Sequence, residues 1–181
     1  MDKYMVVDRK EVRAGRFDVV CETILNDGVE YPFSYVKVKD CAAAFCTLGD
    51  KIILLKQYRH ILDSWEWEIP AGSVEKGENA EDTVLKEIVE ETGYKVKSLF
   101  FMGWYHLSVG STTERVFLYW ADCEEGEKQN LEALEKIEVH KITIEQFKRM
   151  IKDNTFHQCM GVTAWERYCS LKDEEKDESL K

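Results

Sequence analysis

One segment of the chain has a pronounced helical pattern and constrains the fold most. Between Glu78 and Thr92 the apolar residues recur at helical spacing and form one stripe, made of Ala80, Val84, Leu85, Ile88 and Val89. Gly93 follows directly, at the position where helices commonly end with a left-handed residue. The pattern predicts an amphipathic helix whose stripe must be buried against a second layer of structure.

Segments typical of strands lie on both sides of this helix. Asn26-Asp27-Gly28 offers turn residues between two β-rich runs, 17–24 and 29–38, which predicts a hairpin. Further strands are predicted at 42–47, 52–58, 65–69, 96–104 and 115–122, and further helices at 143–152 and 158–170. Hairpins before the first helix, with strands and helices mixed afterwards, predict an α+β domain built in layers.

Composition narrows the class of protein. The chain has 181 residues, of which 44% are hydrophobic, so it can bury a core of single-domain size and is not disordered. Its formal net charge is −10, and such a surface repels a phosphate backbone. We therefore expect no nucleic-acid partner. An anionic substrate must instead be bound locally, by a metal ion or by a few cationic side chains.

Two further observations concern location. No stretch reaches the roughly 20 apolar residues that span a bilayer, and the first ten residues lack the apolar run of a secretory signal. Six cysteines are scattered without C-x-x-C spacing, and several lie in apolar runs. Buried thiols in a reducing compartment explain the cysteine pattern best, which predicts a cytoplasmic location. Because no apolar stretch is long enough to span a bilayer, we also expect no membrane partner.

Three glutamates of the predicted helix share one side. Glu87, Glu90 and Glu91 stand at i, i+3 and i+4, on the side away from the apolar stripe. One interpretation is a solvated acidic face, and the other is a metal site. The glycine-rich loop from Gly72 to Glu78 can bring a backbone carbonyl beside the carboxylates, and hard oxygen ligands of this kind suit Mg²⁺ or Mn²⁺. Such an ion would neutralise the cluster and polarise a pyrophosphate.

The residues from Gly72 to Tyr94 resemble the Nudix box, G-x5-E-x7-R-E-U-x-E-E-x-G-U, where U is a bulky aliphatic residue. Seven of its nine specified positions match in spacing and type. Lys86 stands in place of the arginine, and Tyr94 in place of the last aliphatic residue. The order of strands and helices also agrees with the Nudix fold from about residue 40 to 170. The chain therefore resembles the Nudix hydrolase family.

This resemblance implies a fold, an activity and a set of ligands. The fold would be a Nudix α/β/α sandwich with a mixed β-sheet, preceded by an antiparallel hairpin extension. The activity would be that of an enzyme, a hydrolase of nucleoside diphosphates linked to another group, with Mg²⁺ or else Mn²⁺ as cofactor. Glu87 and Glu91 would be the principal metal ligands. Glu90 would be a further ligand or catalytic bridge, the Ala71 carbonyl would complete the site, and Glu78 would support the helix start.

Two other stretches resemble the group of Nudix enzymes that acts on ADP-ribose and nucleotide sugars. Gln57-Tyr58-Arg59, followed by the run from Trp67 to Gly72, matches a QYR…WExPAG pattern. Downstream, the run from Ser108 to Arg115 resembles an SPGxxxE loop in which Val109 replaces the proline. The replaced proline leaves GDP-mannose, UDP-glucose or another nucleoside diphosphate sugar open as the substrate, and ADP-ribose is still ranked first.

The same resemblance assigns substrate and catalytic roles. Arg59, Glu68 and Gly110 would bind the substrate, and Glu114, on a loop able to close, would act as the general base. Each residue also has a plainer interpretation. Glu114 could be an exposed acid beside Arg115, Arg59 a surface cation, and Glu68 the partner of a lysine.

The leading prediction is metal-dependent hydrolysis of the pyrophosphate bond of ADP-ribose or a related nucleoside diphosphate sugar. The products would be a nucleoside monophosphate and a sugar phosphate. Alternatives are a Nudix hydrolase of another class, acting on dinucleoside polyphosphates, damaged nucleotides or capped RNA, and a catalytically silent module that binds nucleotide sugars.

Three regions are expected along the chain. Residues 1–40 form an N-terminal β extension, which could join two copies into a homodimer or be a plain sheet edge. Residues 41–170 form the Nudix domain. Residues 171–181 are expected to be a charged, flexible tail.

Overall fold

The protein is described by a computed structural model that covers residues 3–179, with side chains described to residue 174. The chain divides into two compact units. The first holds the described residues up to Asp40 together with His106–Arg115. The second holds Cys41–Tyr105 and the described residues from Val116 onward.

The first unit contains a three-stranded antiparallel sheet in the order β1-β2-β3. Its strands are β1 (Met5–Ala14), β2 (Phe17–Asn26) and β3 (Val29–Lys37). Asn26 pairs with Val29 across the Asp27-Gly28 turn, which confirms the predicted hairpin. β1 was not predicted. All ten of its residues are exposed and many are charged, so it carries little of the apolar alternation that marks a strand.

A larger mixed sheet contains the remaining strands, which are β4 (Cys41–Leu48), β5 (Lys51–Arg59), β6 (Ser64–Glu68), β7 (Ala71–Ser73), β8 (Lys95–His106), β9 (Arg115–Glu124) and β10 (Ile137–Thr143). Its central order is β10-β5-β4-β9-β8, with β6 beside β5 and β7 beside β4. β4 and β9 are parallel, whereas β5 is antiparallel to both β4 and β10. The expected strands are present, and β10 and the three-residue β7 are additions that the sequence analysis missed.

The helices are α1 (Ala80–Glu87), α2 (Ile144–Lys152) and α3 (Cys159–Ser179), and a π-helical turn (Ile88–Thr92) extends α1. The single α-helix expected over 78–92 therefore widens after Glu87. Gly93 ends it with φ 76°, in the predicted left-handed conformation. α3 runs to Ser179, so most of the segment predicted as a tail is helical. Its lysines and glutamates are good helix formers that continue the preceding turns. Leu180 and Lys181 lie outside the described residues.

Side chains alternate along a strand, so both faces of the central sheet carry side chains, and helices cover both faces. On one face, Val84 and Ile88 of the α1 segment pack on small residues of β4 and β9, including Ala42, Ala44 and Ala121. On the other face, the ring of Phe45 contacts aromatic residues of α2 and α3, namely Phe147, Trp165 and Tyr168. The predicted α/β/α sandwich is confirmed.

Two sequence expectations about location can be compared with the structure. From residue 3 to residue 179, no helix is both long and apolar enough to cross a membrane. All six cysteines are thiols, and Cys41, Cys46 and Cys123 are buried, as the apolar runs around them suggested.

Candidate active site

The acidic helix starts from a well-defined cap. The Asn79 side chain accepts a hydrogen bond from the Asp82 amide at 2.9 Å, which satisfies one of the open donors of the first turn. The Glu78 carboxylate accepts a hydrogen bond from the Thr83 hydroxyl at 3.3 Å. Glu78 thus contacts the first turn of α1, which is the helix start that the Nudix resemblance implied it would support.

Glu91 is buried beneath the loop that precedes the helix. It is only 3% exposed, and its Oε2 accepts a hydrogen bond from the Ala71 amide at 3.0 Å. The pKa of Glu91 is raised to about 8, mainly by burial and also by the nearby Glu87 charge, while the Ala71 hydrogen bond opposes the shift. A buried carboxylate is stable in its charged form only when a positive charge lies beside it.

Glu87 packs against the backbone of Gly72. A Cβ atom built on Gly72 would lie 2.0 Å from Glu87 Oε1, so this close approach requires glycine. Glu87 is half-buried, and its pKa is raised first by burial and then by the charge of Glu90. Glu87 and Glu91 therefore converge on the same two residues of backbone, Ala71 and Gly72.

Glu90 is partly exposed, unlike the buried Glu91. Its Oε2 lies 3.8 Å from the Lys86 ammonium, so the lysine at the position of the Nudix arginine faces Glu90. The π-helical turn changes the angular spacing of residues 88–92, and single π turns often occur at functional sites. Here Glu91 faces inward while Glu90 stays near the surface.

The donor set fits a divalent cation. Within the described part of the chain, no group of three or more histidine, cysteine, aspartate or glutamate side chains is arranged around a metal position. The fit instead rests on two carboxylates, Glu87 and Glu91, packed on the Ala71-Gly72 backbone, with Glu90 next to them. Carboxylate and carbonyl oxygens are the ligands that Mg²⁺ and Mn²⁺ prefer.

Arg59 and Glu68 form a two-pronged ion pair. Arg59 Nε and Nη2 donate to the two carboxylate oxygens of Glu68, each at 2.6 Å. Glu68 is buried, and it raises the pKa of Arg59 through these hydrogen bonds. The structure thus brings together two of the predicted substrate-binding residues, and Glu68 pairs with an arginine rather than with a lysine.

The segment between Glu68 and Gly72 is held at three consecutive residues. The Ile69 amide donates to Gln158 Oε1 at 2.9 Å, the Pro70 carbonyl accepts from the Ala44 amide at 3.0 Å, and the Ala71 amide donates to Glu91. The backbone that presents the Ala71 carbonyl is therefore fixed from both sides.

Two predicted site residues lie in the first unit, whereas the glutamates of the box lie in the second. Glu114 is half-buried, and its pKa is raised by burial and by the charge of Asp40. Arg115 pairs with Asp40, at 2.5 Å between Nη2 and Oδ2. Gly110 lies in an exposed loop in which the Ser108 carbonyl accepts hydrogen bonds from two later amides.

The loop after β9 contributes contacts that the sequence analysis missed. Gln129 Nε2 donates to the Glu91 carbonyl at 2.6 Å, and the Asn130 amide donates to the Glu90 carbonyl at 2.9 Å. These bonds satisfy carbonyls at the open end of the helix. No local pattern marks these residues, because their partners lie about 40 positions earlier in the chain.

Residues 38–159 match the NUDIX domain family, which is two thirds of the chain. The chain belongs to the Nudix family. This match and the sequence similarity to an ADP-ribose pyrophosphatase confirm the prediction of an enzyme of the Nudix pyrophosphatase class. Enzymes of this family generally use a divalent metal.

Two curated relatives align with about two thirds of this chain. The chain is 35% identical over 125 residues to the ADP-ribose pyrophosphatase of Bacillus subtilis (strain 168), covering 68% of this chain and 67% of that protein. It is 31% identical over 121 residues to the methanol dehydrogenase activator of Bacillus methanolicus, covering 65% of each. The chain thus spans about two thirds of the length of these relatives.

A solved structure described as an ADP compounds hydrolase has the same fold. It superposes with a TM-score of 0.86, covering 97% of both chains at 16% sequence identity. At that identity the likeness concerns the fold, and it confirms the predicted Nudix architecture.

Proposed function

We propose that this protein hydrolyses the pyrophosphate bond of ADP-ribose, or of a closely related nucleoside diphosphate sugar, to a nucleoside monophosphate and a sugar phosphate. The observation that carries the proposal is the convergence of Glu87 and Glu91 on the Ala71-Gly72 backbone. The similarity to the Bacillus subtilis ADP-ribose pyrophosphatase supports this substrate.

Glu87, Glu91 and the Ala71 carbonyl would hold Mg²⁺, or Mn²⁺, with Glu90 as a further ligand. When bound, such an ion lowers the pKa of water and stabilises negative charge on phosphate oxygens. The protein's own contribution is to hold these oxygens close together on the Ala71-Gly72 backbone, so that they could reach one ion without rearrangement of the chain.

Arg59 would bind a phosphate of the substrate. Glu68 occupies its Nε and Nη2, which fixes the plane of the guanidinium and leaves Nη1 able to donate to an anion. An anionic substrate needs such a cation in a chain whose formal net charge is −10.

Glu114 would act as the general base. It accepts a proton from water while the water oxygen forms a bond to phosphorus and the bridging P–O bond breaks. The leaving phosphate keeps the electron pair of that bond. The raised pKa of Glu114 suits this role, because a base works best when its pKa is nearer to the working pH.

The test is AMP release from ADP-ribose in the presence of Mg²⁺ or Mn²⁺, with GDP-mannose, UDP-glucose and diadenosine polyphosphates assayed in parallel. We expect turnover of ADP-ribose, and a loss of at least about 100-fold in kcat for Glu91→Gln, because the amide removes a charged ligand.

Glu81→Gln is the matched control, since Glu81 is an exposed glutamate in the first turn of the same helix and should leave turnover unchanged. Equal activity of Glu91→Gln and wild type would contradict the metal-site assignment. Binding of ADP-ribose without turnover, under any divalent ion, would favour the silent module.

Two properties of the whole protein belong to the same proposal. The protein would form a homodimer through the N-terminal sheet, where large apolar side chains such as Tyr31 and Phe33 are exposed. It would work in the cytoplasm, where a reducing environment keeps its cysteines as thiols.

A further inference from the structure

We infer that Gln158 is a positioning residue for the substrate cation and for the metal-binding backbone at the same time. It touches neither the substrate nor the ion and acts through Glu68 and Ile69. The inference rests on the proposed function in one respect, namely that Arg59 and the Ala71 carbonyl belong to the site.

The side-chain amide of Gln158 uses both of its ends. Its Nε2 donates to Glu68 Oε2 at 2.8 Å, and its Oε1 accepts from the Ile69 amide at 2.9 Å. A glutamine side chain can donate and accept in a single plane. Two successive residues of the chain, Glu68 and Ile69, are therefore held by one side chain.

The Nε2 end acts on the ion pair. Glu68 is a buried carboxylate that already accepts both prongs of Arg59, and the amide supplies a third donor to the Oε2 atom. With three donors on its two oxygens, the carboxylate is fixed in orientation. The plane of the Arg59 guanidinium is then fixed as well, because a two-pronged pair transmits orientation.

The Oε1 end acts on the backbone. Ile69 is two residues before Ala71, and the Pro70 carbonyl between them is held by Ala44. Loss of the Ile69 bond would leave a buried amide without its acceptor and would allow the segment to shift. A shift there moves the Ala71 carbonyl relative to Glu91, since the Ala71 amide is bonded to that carboxylate.

The two ends can be separated by substitution. Gln158→Met removes both bonds at nearly constant volume. Gln158→Glu keeps an acceptor for Ile69 but replaces the donor to Glu68 with a second negative charge. Gln146→Met is the matched control, because Gln146 also accepts a backbone hydrogen bond, from Thr143 at 2.7 Å, but only in the cap of α2.

The experiment measures three quantities for each protein: Mn²⁺ affinity by electron paramagnetic resonance of the free ion, KM and kcat for ADP-ribose, and the melting temperature. We expect Gln158→Met to raise KM by about tenfold and to weaken Mn²⁺ binding several-fold. We expect Gln158→Glu to raise KM similarly while keeping the Mn²⁺ affinity. Gln146→Met should lower only the melting temperature.

The outcomes separate this inference from the proposed function. Equal KM and Mn²⁺ affinity in Gln158→Met and Gln146→Met, with wild-type turnover intact, would overturn the positioning role alone. A wild-type protein that binds Mn²⁺ but does not hydrolyse ADP-ribose would overturn the proposed function, and a weaker Mn²⁺ affinity of Gln158→Met would then still support the backbone role. A wild-type protein that binds no Mn²⁺ and shows no turnover would overturn both.

Discussion

At the scale of single residues, the site depends on a contact between Gly72 and Glu87 that leaves no room for a side chain at residue 72. In Gly72→Ala the new methyl group would displace the Glu87 carboxylate, because the nearest atoms belong to the end of a flexible side chain. We expect a loss of about tenfold or more in kcat. The melting temperature should change little, since the displaced carboxylate can turn toward solvent. A large fall in melting temperature with unchanged kcat would contradict this account.

The raised pKa of Glu91 predicts that the stability of the metal-free protein depends on pH. Its folded pKa of about 8 exceeds the ordinary value of a glutamate, so between pH 4.5 and 8 the folded state holds more protons than the unfolded state. The stabilisation is complete below the unfolded pKa and is lost as pH rises through the folded pKa. We expect the free energy of unfolding to fall by roughly a few kcal/mol over this range.

Urea denaturation in the presence of a chelator, at several pH values from 5 to 8.5, measures this loss. Glu91→Gln should flatten the profile and should be more stable than wild type at pH 8.5. An identical pH profile in the two proteins would show that Glu91 is not the responsible group.

The positions of candidate site residues were predictable where sequence spacing is local. Glu87 and Glu91 are one helical turn apart, and Ala71 precedes their loop, so a short motif is enough to place them together. Gln158 and Gln129 carry no such signal, because each bonds to a segment far earlier in the chain. Whether Glu68 faces a lysine or Arg59 is likewise decided by strand pairing, which puts β6 beside β5.

At the scale of elements, the start of α1 depends on its cap. Asn79→Ala would remove the acceptor for the Asp82 amide, and such caps contribute about 1 kcal/mol to stability. We expect a loss of about that size in chemical denaturation. The kcat for ADP-ribose should stay within about twofold, because the remaining turns are anchored by Val84 and Ile88 in the core. A collapse of kcat in this variant would show that the cap itself positions the glutamates.

The elements also show which signals a sequence carries. The hairpin and the acidic helix were predicted because turn residues and apolar periodicity are strong there. β1 and β10 were missed because charged residues break up the apolar residues of both strands, so neither alternates regularly along its whole length. The π-helical turn at Ile88–Thr92 was read as ordinary helix, since its residues keep helical spacing and only the hydrogen bonding differs.

At the scale of the whole molecule, the proposed homodimer depends on the apolar face of the N-terminal sheet. Tyr31 and Phe33 are 47% and 46% exposed and point to the same side of β3. In the double variant Tyr31→Thr, Phe33→Thr, each lost ring removes roughly 1.5 to 3 kcal/mol of buried apolar contact. We therefore expect the dimer dissociation constant, measured by analytical ultracentrifugation, to rise by at least about 100-fold.

Val12→Thr is the control for this experiment. Val12 is exposed too, but the pairing register places it on the opposite face of the sheet. A monomeric wild-type protein, or equal dissociation constants in the two variants, would contradict the proposed interface.

The bond between Ile69 and Gln158 joins positions 89 residues apart, and the parallel pairing of β4 with β9 joins positions 75 residues apart. On the ribosome, a nascent chain would thus carry its cluster of glutamates for on the order of ten seconds before the segment that holds the neighbouring backbone has been synthesised. Until then the Ile69 amide lacks the acceptor that Gln158 supplies. The final position of the backbone between Glu68 and Gly72 would accordingly be set late, after the start of α3 has been translated.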